Sequence, residues 1–314
     1  MSDRSLIENN AGFNDDYKLV IKRSDSGSSS LDGLFGYKAS EVENTSKVEV
    51  VGSSDLTLAI LDFENSLDNF GRDTSFKIKT KAVLTPKEIN AFFDIVEKYS
   101  DRFQFGYIVE KHVCNLIKNS YDSGNNSFNF DYNFSTYSNY NFVHGLEGKH
   151  NDPIKISVVG NVPNYFATQA KNIRFDIECS VGWEAFWDTK NVDVKIKGNV
   201  GSAFGKRAEN LNLILDGNLD TNSCNFSKNI SMIINGDVGQ DFARHSERIY
   251  AIINGNLNQR GSGYKTTNFE CFVKGNDDNN YFYCDGFFHT KDDVRTFRTY
   301  KKIMKEVNLR FEEK

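Results

Sequence analysis

The sequence predicts a mainly β protein, a single-stranded β-helix solenoid with 19-residue coils, capped by a small α/β N-terminal domain and a C-terminal helix. Two observations predict the solenoid. A corner motif, Gly-Asn or a close variant, recurs every nineteen residues from Gly160 onward, and a strict apolar alternation precedes each corner. A third predicts a helix in the N-terminal cap: Thr85-Pro86-Lys87-Glu88 stands directly before an apolar stripe at helical spacing.

The repeat comes first because it organises the rest. Steps of nineteen from Gly160 reach Cys179, Gly198, Gly217, Gly236 and Gly255, and one extra residue brings Gly275. The next position holds Asn161, Ser180, Asn199, Asn218, Asp237, Asn256 and Asn276. Two before the corner stand Val158, Ile177, Ile196, Leu215, Ile234, Ile253 and Val273. Similar apolar columns lie four before, six before and two after. Alternation of period two marks a strand with one buried face. Gly and Asn tolerate positive φ, so the pair marks a corner. Such a unit buries its face only by stacking on the next. About seven coils at roughly 4.8 Å give a rod about 33 Å long.

Other columns fit the same register. Asn172, Asn191, Asn210 and Asn229 open successive strands, and Asn268 returns there, so their amides can form a ladder along the axis. Small residues Ala170, Thr189, Ala208, Ser227 and Ser246 mark a tight bend. Arg174 falls beside Asp193, Asp176 beside Lys195, and Glu178 beside Lys197, which Asp216 follows. Opposite charges alternate, as parallel in-register strands prefer.

Outside the repeat, residues 1–45 are rich in Ser, Asp, Asn and Gly, and a disordered tail is expected. A small α/β capping domain is expected over 46–150, the solenoid over 151–286 and a helical cap over 287–314. Strands are predicted at Lys47–Val51, Leu56–Phe63 and Ser75–Leu84. One helix is predicted after Thr85 through Ile89, Phe92, Val96 and Tyr99, and a second over Tyr107–Asn119. Segment 127–143 reads as irregular first strands. Thr290 can cap a last helix with Val294, Phe297, Tyr300 and Met304 on one face. Both ends need caps, because a terminal coil exposes an open core and an unpaired edge.

The segment GNVGSAFGKRAENLNLILDGNL resembles the glycine-rich repeat of the GXGXG β-helix domain. That domain closes the large subunit of glutamate synthase, and it forms much of one of the subunits of formylmethanofuran dehydrogenase. The likeness covers about residues 153–286; Gly198, Gly201 and Gly205 fit its spacing, while Cys179 and Asp220 replace glycines. It implies a right-handed coil and a bridging, positioning role, with no catalytic residue carried over. The chain is also similar to uncharacterised archaeal solenoid proteins with G-N-V-G repeats, which implies architecture alone.

Composition narrows the function. A net charge of −5 argues against a general nucleic-acid binder. The start lacks the pattern of a secretory signal, and no apolar run is long enough to span a bilayer. Five cysteines without a C-x-x-C pair fit a reducing cytoplasm rather than a disulfide framework or zinc site. No catalytic, cofactor-binding or metal-binding residue is assigned, and no cofactor is expected. The acids Asp176, Glu178, Asp193 and Asp216 suit structural pairing. Asp237 occupies the corner column, and Asp241 and His245 fall in the return loop. Asp277-Asp278-Asn279-Asn280 resembles a calcium loop only in composition. His112 reads as a core or surface residue, and Cys224 and Cys271 as core.

Ile214, Ile233, Ile252 and Phe272 lie at outward positions and should form an exposed apolar stripe, covered by the C-terminal helix or serving a partner. Trp183 and Trp187 share one return loop and are either packing residues or a ligand platform for sugars. The expected function is a non-catalytic scaffold or protein-interaction module, a subunit of a larger complex or self-associating. The alternative is a carbohydrate-active β-helix enzyme, a polysaccharide lyase or hydrolase.

Overall fold

The computed structural model describes residues 6–7, 18–22, 47–51, 53–70, 78–102, 104–132, 141–160, 162–274, 281–284 and 287–290, with Lys301 and Lys305. The chain divides into two compact units, Met1–Asn125 and Asn126–Lys314. The boundary before the solenoid thus falls earlier than expected.

In the first unit, β1 (Leu6–Ile7), β2 (Lys18–Lys22) and β3 (Lys47–Val51) form an antiparallel sheet in that order. Two of these strands lie inside the segment expected to be disordered; the apolar run Leu19-Val20-Ile21, bounded by Lys18 and Lys22, is enough to form one.

Helix α1 (Ser54–Asn69) replaces the strand expected over 56–63. The Ser53 hydroxyl accepts from Leu56 N at 3.2 Å, and Leu56, Ala59, Ile60, Phe63 and Leu67 are buried at helical spacing. The short apolar run conceals that period. Helix α2 (Pro86–Val96) carries the expected capping box from Thr85 and Glu88, and a 3₁₀ turn extends it over Glu97–Tyr99. Helix α3 spans Phe105–Asp122.

Residues 78–84 run without regular structure. Their carbonyls are bound by side chains of α3 instead of a neighbouring strand: Asn115 Nδ2 donates to Ile78 O, and Asn119 Nδ2 to Thr80 O and Ala82 O, at 2.9–3.2 Å. A strand-like alternation, with Thr80, Ala82 and Leu84 buried, is therefore satisfied without a sheet. Phe63 centres the core, its ring 5.6 Å from Phe92, 5.8 Å from Phe105 and 5.5 Å from His112.

The second unit is the solenoid. Strands β4 (Ser127–Tyr132), β5 (Ile154–Gly160), β6 (Lys171–Glu178), β7 (Lys190–Lys197), β8 (Glu209–Asp216), β9 (Lys228–Ile234), β10 (Glu247–Ile253) and β11 (Thr267–Val273) pair in parallel and in sequence order. Val158, Ile177 and Ile196 share one interior row, continued by Leu215, Ile234, Ile253 and Val273, and all are buried. β4 pairs with β5 at an offset of 28 residues, Ser127 opposite Lys155, so the first coil has a longer return. Phe128 and Phe130 place it in the stack by their buried alternation.

The far end differs from expectation. β12 (Tyr281–Cys284) joins β11 antiparallel, and β13 (Phe287–Thr290) pairs antiparallel with β12. The Asp285-Gly286 dipeptide between them is a strong hairpin signal. Thr290 ends β13; Lys301 and Lys305 are helical, while Val294, Phe297, Tyr300 and Met304 of the expected cap lie outside the described residues. No described helix is long and apolar enough to cross a membrane.

The returns are regular too. In each, alternate residues adopt positive φ, as do Glu184, Phe186 and Asp188 at 55–59°. Their amides bond alternately to the following and preceding coil: Glu184 N to Ser202 O, Phe186 N to Phe166 O, Asp188 N to Lys206 O, at 2.8–2.9 Å. Inside, large and small residues alternate between coils: Phe166 with Ala167, Ala185 with Phe186, Phe204 with Gly205, Phe242 with Ala243. Rings in adjacent coils meet edge-on or tilted, Phe166–Phe186 at 5.6 Å and Phe186–Phe204 at 5.2 Å.

Candidate binding surfaces of the solenoid

Stacking consumes most polar groups of the strand face. The asparagine ladder runs as its spacing suggests: Asn172 Nδ2 donates to Gly148 O, then Asn191, Asn210 and Asn229 each donate to the Oδ1 of the asparagine before, at 2.8–2.9 Å. Each sits at φ 53–55°. Arg248 takes the next place, at φ 57°, and its Nε donates to Asn229 Oδ1. Ion pairs link successive coils: Arg174–Asp193 at 3.6 Å, Lys190–Glu209 at 3.1 Å, Lys228–Glu247 at 3.2 Å, and Lys197–Glu178. The bond from Lys197 holds the Glu178 carboxyl below its ordinary range. Asp176 stands opposite Lys195, and Asp216 opposite Lys197.

Among the described residues, two surfaces beside the strand face stand out. The first is a groove of about 740 Å³ along the corners of five coils. Its floor is Val181, Val200, Leu219, Val238 and Leu257, bridged in parallel from coil to coil. One wall is the corner row. There Ser180 Oγ accepts from Asn199 N, Asn199 Oδ1 from Asn218 N, Asn218 Oδ1 from Asp237 N, and Asp237 Oδ1 from Asn256 N, at 2.7–3.1 Å. The other wall is Gly201, Asp220, Gly239 and Asn258. At two of these corners only glycine fits: a Cβ on Gly217 would meet Gly198 O at 2.2 Å, and one on Gly236 would meet Gly217 O at 2.4 Å.

The second surface lies on the returns. Phe226 is 56% and Tyr264 49% exposed, with exposed His245 between them. His245 stacks on Phe226 at 5.2 Å and 4°, and meets Tyr264 edge-on at 5.6 Å. Arg244 and Lys265 lie over the Tyr264 ring at 5.3 and 5.4 Å, and Arg207 pairs with Asp188 at 3.2 Å. This row is not among the candidates that the sequence suggested. The nineteen-residue spacing of Arg207, Phe226, His245 and Tyr264 is its signal.

The sequence candidates fall as follows. The stripe of Ile214, Ile233, Ile252 and Phe272 is in register, but it is not an exposed row. Ile252 is 2% exposed, with Ile214, Ile233, Tyr250 and Phe272 packed partly buried against it. Large side chains one strand spacing apart shield one another from water. Trp183 is 39% exposed and meets Tyr165 edge-on at 4.5 Å. Trp187 is half-buried, with Lys206 Nζ 5.4 Å from its ring. The two tryptophans thus occupy separate columns of the return.

Asp237 belongs to the corner row, and Asp241 pairs with Arg244 at 3.1 Å. Residues 277–280 lie outside the described residues. Among the described residues, no group of three or more His, Cys, Asp or Glu is placed to hold a metal. His112 is buried in the first unit, its Nε2 2.9 Å from Ser66 Oγ, and burial lowers its pKa to about 4. Ser66 Oγ already donates to Asp62 O at 2.7 Å, so Nε2 carries the proton and donates. Cys224 and Cys271 are fully buried, which pushes the Cys224 thiol up to about 12 and raises that of Cys271.

No known protein family, curated protein or solved structure matches this chain.

Proposed function

We propose that this chain is a non-catalytic β-solenoid scaffold whose return face engages another protein. The row Phe226–His245–Tyr264 carries the reading. Exposed aromatics bordered by arginine are the groups that dominate binding energy at protein interfaces. A stack cross-linked by ladders and ion pairs holds them in place, so little ordering entropy opposes binding. The strand-face carboxylates stand in pairs or in register with cations, which suits support more than acid–base hydrolysis. The likeness to the GXGXG domain, which bridges neighbouring domains in its own proteins, agrees. The free thiols Cys114, Cys179, Cys224 and Cys271 accord with a cytoplasmic setting.

The test uses the full chain as bait in its native cell. A protein identified by mass spectrometry is then purified and titrated against the wild type and the double variant Phe226→Asn/Tyr264→Ser. Asparagine suits the φ of 58° at position 226, so the fold should persist. At least tenfold weaker binding with an unchanged melting curve is expected. Equal affinity in both proteins refutes the assigned face, and turnover of a polysaccharide by the purified chain refutes the non-catalytic reading.

A further inference from the structure

The aromatic row on the returns carries an electrostatic bias. The carboxylates beside it are spent: Asp188 on Arg207 at 3.2 Å, Asp241 on Arg244 at 3.1 Å, and Glu247 on Lys228 at 3.2 Å and Arg248 at 2.7 Å. Lys206 and Lys265 have no ion-pair partner among the described residues. Each ammonium lies over a ring instead, Lys206 over Trp187 and Lys265 over Tyr264, both at 5.4 Å. These uncompensated cations stand on a chain whose net charge is −5, so they are a local feature of this face. The rings add to the bias. Phe226 and His245 stack in parallel across adjacent coils, and both are exposed, so their rims face the solvent. The rim is the positive part of the ring quadrupole.

We propose, resting on the return-face reading above, that the partner presents to this row an extended acidic segment of the pattern acid–x–apolar–x–acid. The returns step from Lys206 to Lys265 over three coils, through Arg207 N to Asn225 O, Phe226 N to Arg244 O and His245 N to Tyr264 O. At roughly 4.8 Å per coil that is about 14 Å. An extended chain advances about 3.3 Å per residue and turns alternate side chains to one side, so residues i and i+4 stand about 13 Å apart with i+2 between them. Carboxylates at the two ends reach the two ammonium groups, and the apolar side chain between them packs against Phe226 and His245. Other occupants fit less well. An apolar segment would bury Lys206 and Lys265 without a counter-ion, which is costly. A basic segment would meet them directly. A single-stranded nucleic acid needs ring faces on which its bases stack. Here His245 lies on a face of Phe226, and Arg244 and Lys265 lie over Tyr264.

The experiment is calorimetric titration of the full chain with a capped peptide containing Glu-Ser-Leu-Ser-Glu, with its Gln-Ser-Leu-Ser-Gln counterpart and with oligothymidylate as the rival. The glutamate peptide is expected to bind in the millimolar range or tighter, and the glutamine peptide at least tenfold more weakly. The double variant Lys206→Gln/Lys265→Asn removes the two ammonium groups; asparagine suits the φ of 54° at position 265, so the melting curve should persist. It should weaken binding of the glutamate peptide at least tenfold. Raising the salt from about 0.05 M to about 0.5 M should weaken it in the wild type, a readout that needs no variant. Failure of the glutamate peptide to bind overturns the proposal. So does equal binding of the glutamine peptide, undiminished binding in the lysine variant, or tighter binding of oligothymidylate. The two readings fail separately. A cellular partner that loses affinity for Phe226→Asn/Tyr264→Ser but not for Lys206→Gln/Lys265→Asn keeps the face and overturns the acidic segment alone.

Discussion

Replacing Gly217 by alanine tests how tightly the corner column holds the coils together. The new Cβ would lie 2.2 Å from Gly198 O and 2.6 Å from Gly198 C, at φ 158°. Ordinary contact begins near 3.4 Å, so the coils must part locally by roughly 1 Å. The bonds on either side of this site, Gly198 N to Asp216 O at 3.0 Å and Val200 N to Asn218 O at 2.8 Å, cannot both survive that shift. Losing two of them costs about 2 kcal/mol, and an alanine forced to positive φ adds about 1 kcal/mol. The expected total is about 3 kcal/mol.

Gly205→Ala is the control. Its Cβ would meet only Cys224 Sγ at 3.5 Å and Leu211 Cδ1 at 3.8 Å, which is ordinary contact. Its column already holds Ala167, Cys224 and Ala243 at φ 56–57°, so about 1 kcal/mol or less is expected. Both tryptophans of the chain, Trp183 and Trp187, lie in the solenoid, so their fluorescence during urea unfolding reports on that unit. A loss for Gly217→Ala no larger than for Gly205→Ala would refute the close-contact argument.

Two further outcomes follow from the ladder and the first unit's core. Asn210→Gly keeps the positive φ but removes the bonds to Asn191 and from Asn229, and should cost about 2 kcal/mol in the same urea assay; Asn210→Ala should cost about 1 kcal/mol more. In the first unit, burial lowers the His112 pKa from 6.5 to about 4 and raises that of Glu110 from 4.5 to about 7. The unfolded chain binds the His112 proton first, so this group's stabilisation is complete above pH 6.5 and is lost as pH falls toward 4. Folded Glu110 keeps its proton, so its contribution is full below pH 4.5 and is lost as pH rises toward 7. The two slopes, each about 1.4 kcal/mol per pH unit at most, oppose one another in the wild type. Half-buried Asp94, raised to about 6, adds a smaller slope of the Glu110 sign. Glu110→Gln should therefore make helix stability rise more steeply between pH 4.5 and 6.5, as followed by circular dichroism. An unchanged profile would contradict the burial argument.

Much of the fold was legible in the sequence because an in-register parallel stack turns a step along the chain into a step along an axis. Ile177, Ile196 and Leu215 share a row in space because they share a column in sequence, and the same mapping located the asparagine ladder and the Arg174–Asp193 pair. It faltered where local pattern had to be interpreted without a period. Leu56–Phe63 reads as a strand because seven or eight residues cannot separate an alternation from a helical stripe once Ser53 is overlooked as a cap. Residues 78–84 alternate like a strand, yet their partners are amides of a helix. Arg248 continues a ladder of asparagines because its Nε can donate where their amides did, a substitution of geometry that no column of letters announces.

The candidate surfaces show where the sequence's own authority ends. It determined the coil length, the inward and outward positions and the corners, because these depend on side-chain period and on which residues tolerate positive φ. Only the tertiary structure decided which outward positions meet water. Ile252 and Phe226 are both large and apolar, but one is 2% and the other 56% exposed. The difference arises because exposure depends on what lies across neighbouring coils, whereas the repeat records only what recurs along one chain. The groove is likewise a property of five corners taken together, since amides of the next coil hold the corner oxygens of Asn199 and Asn218.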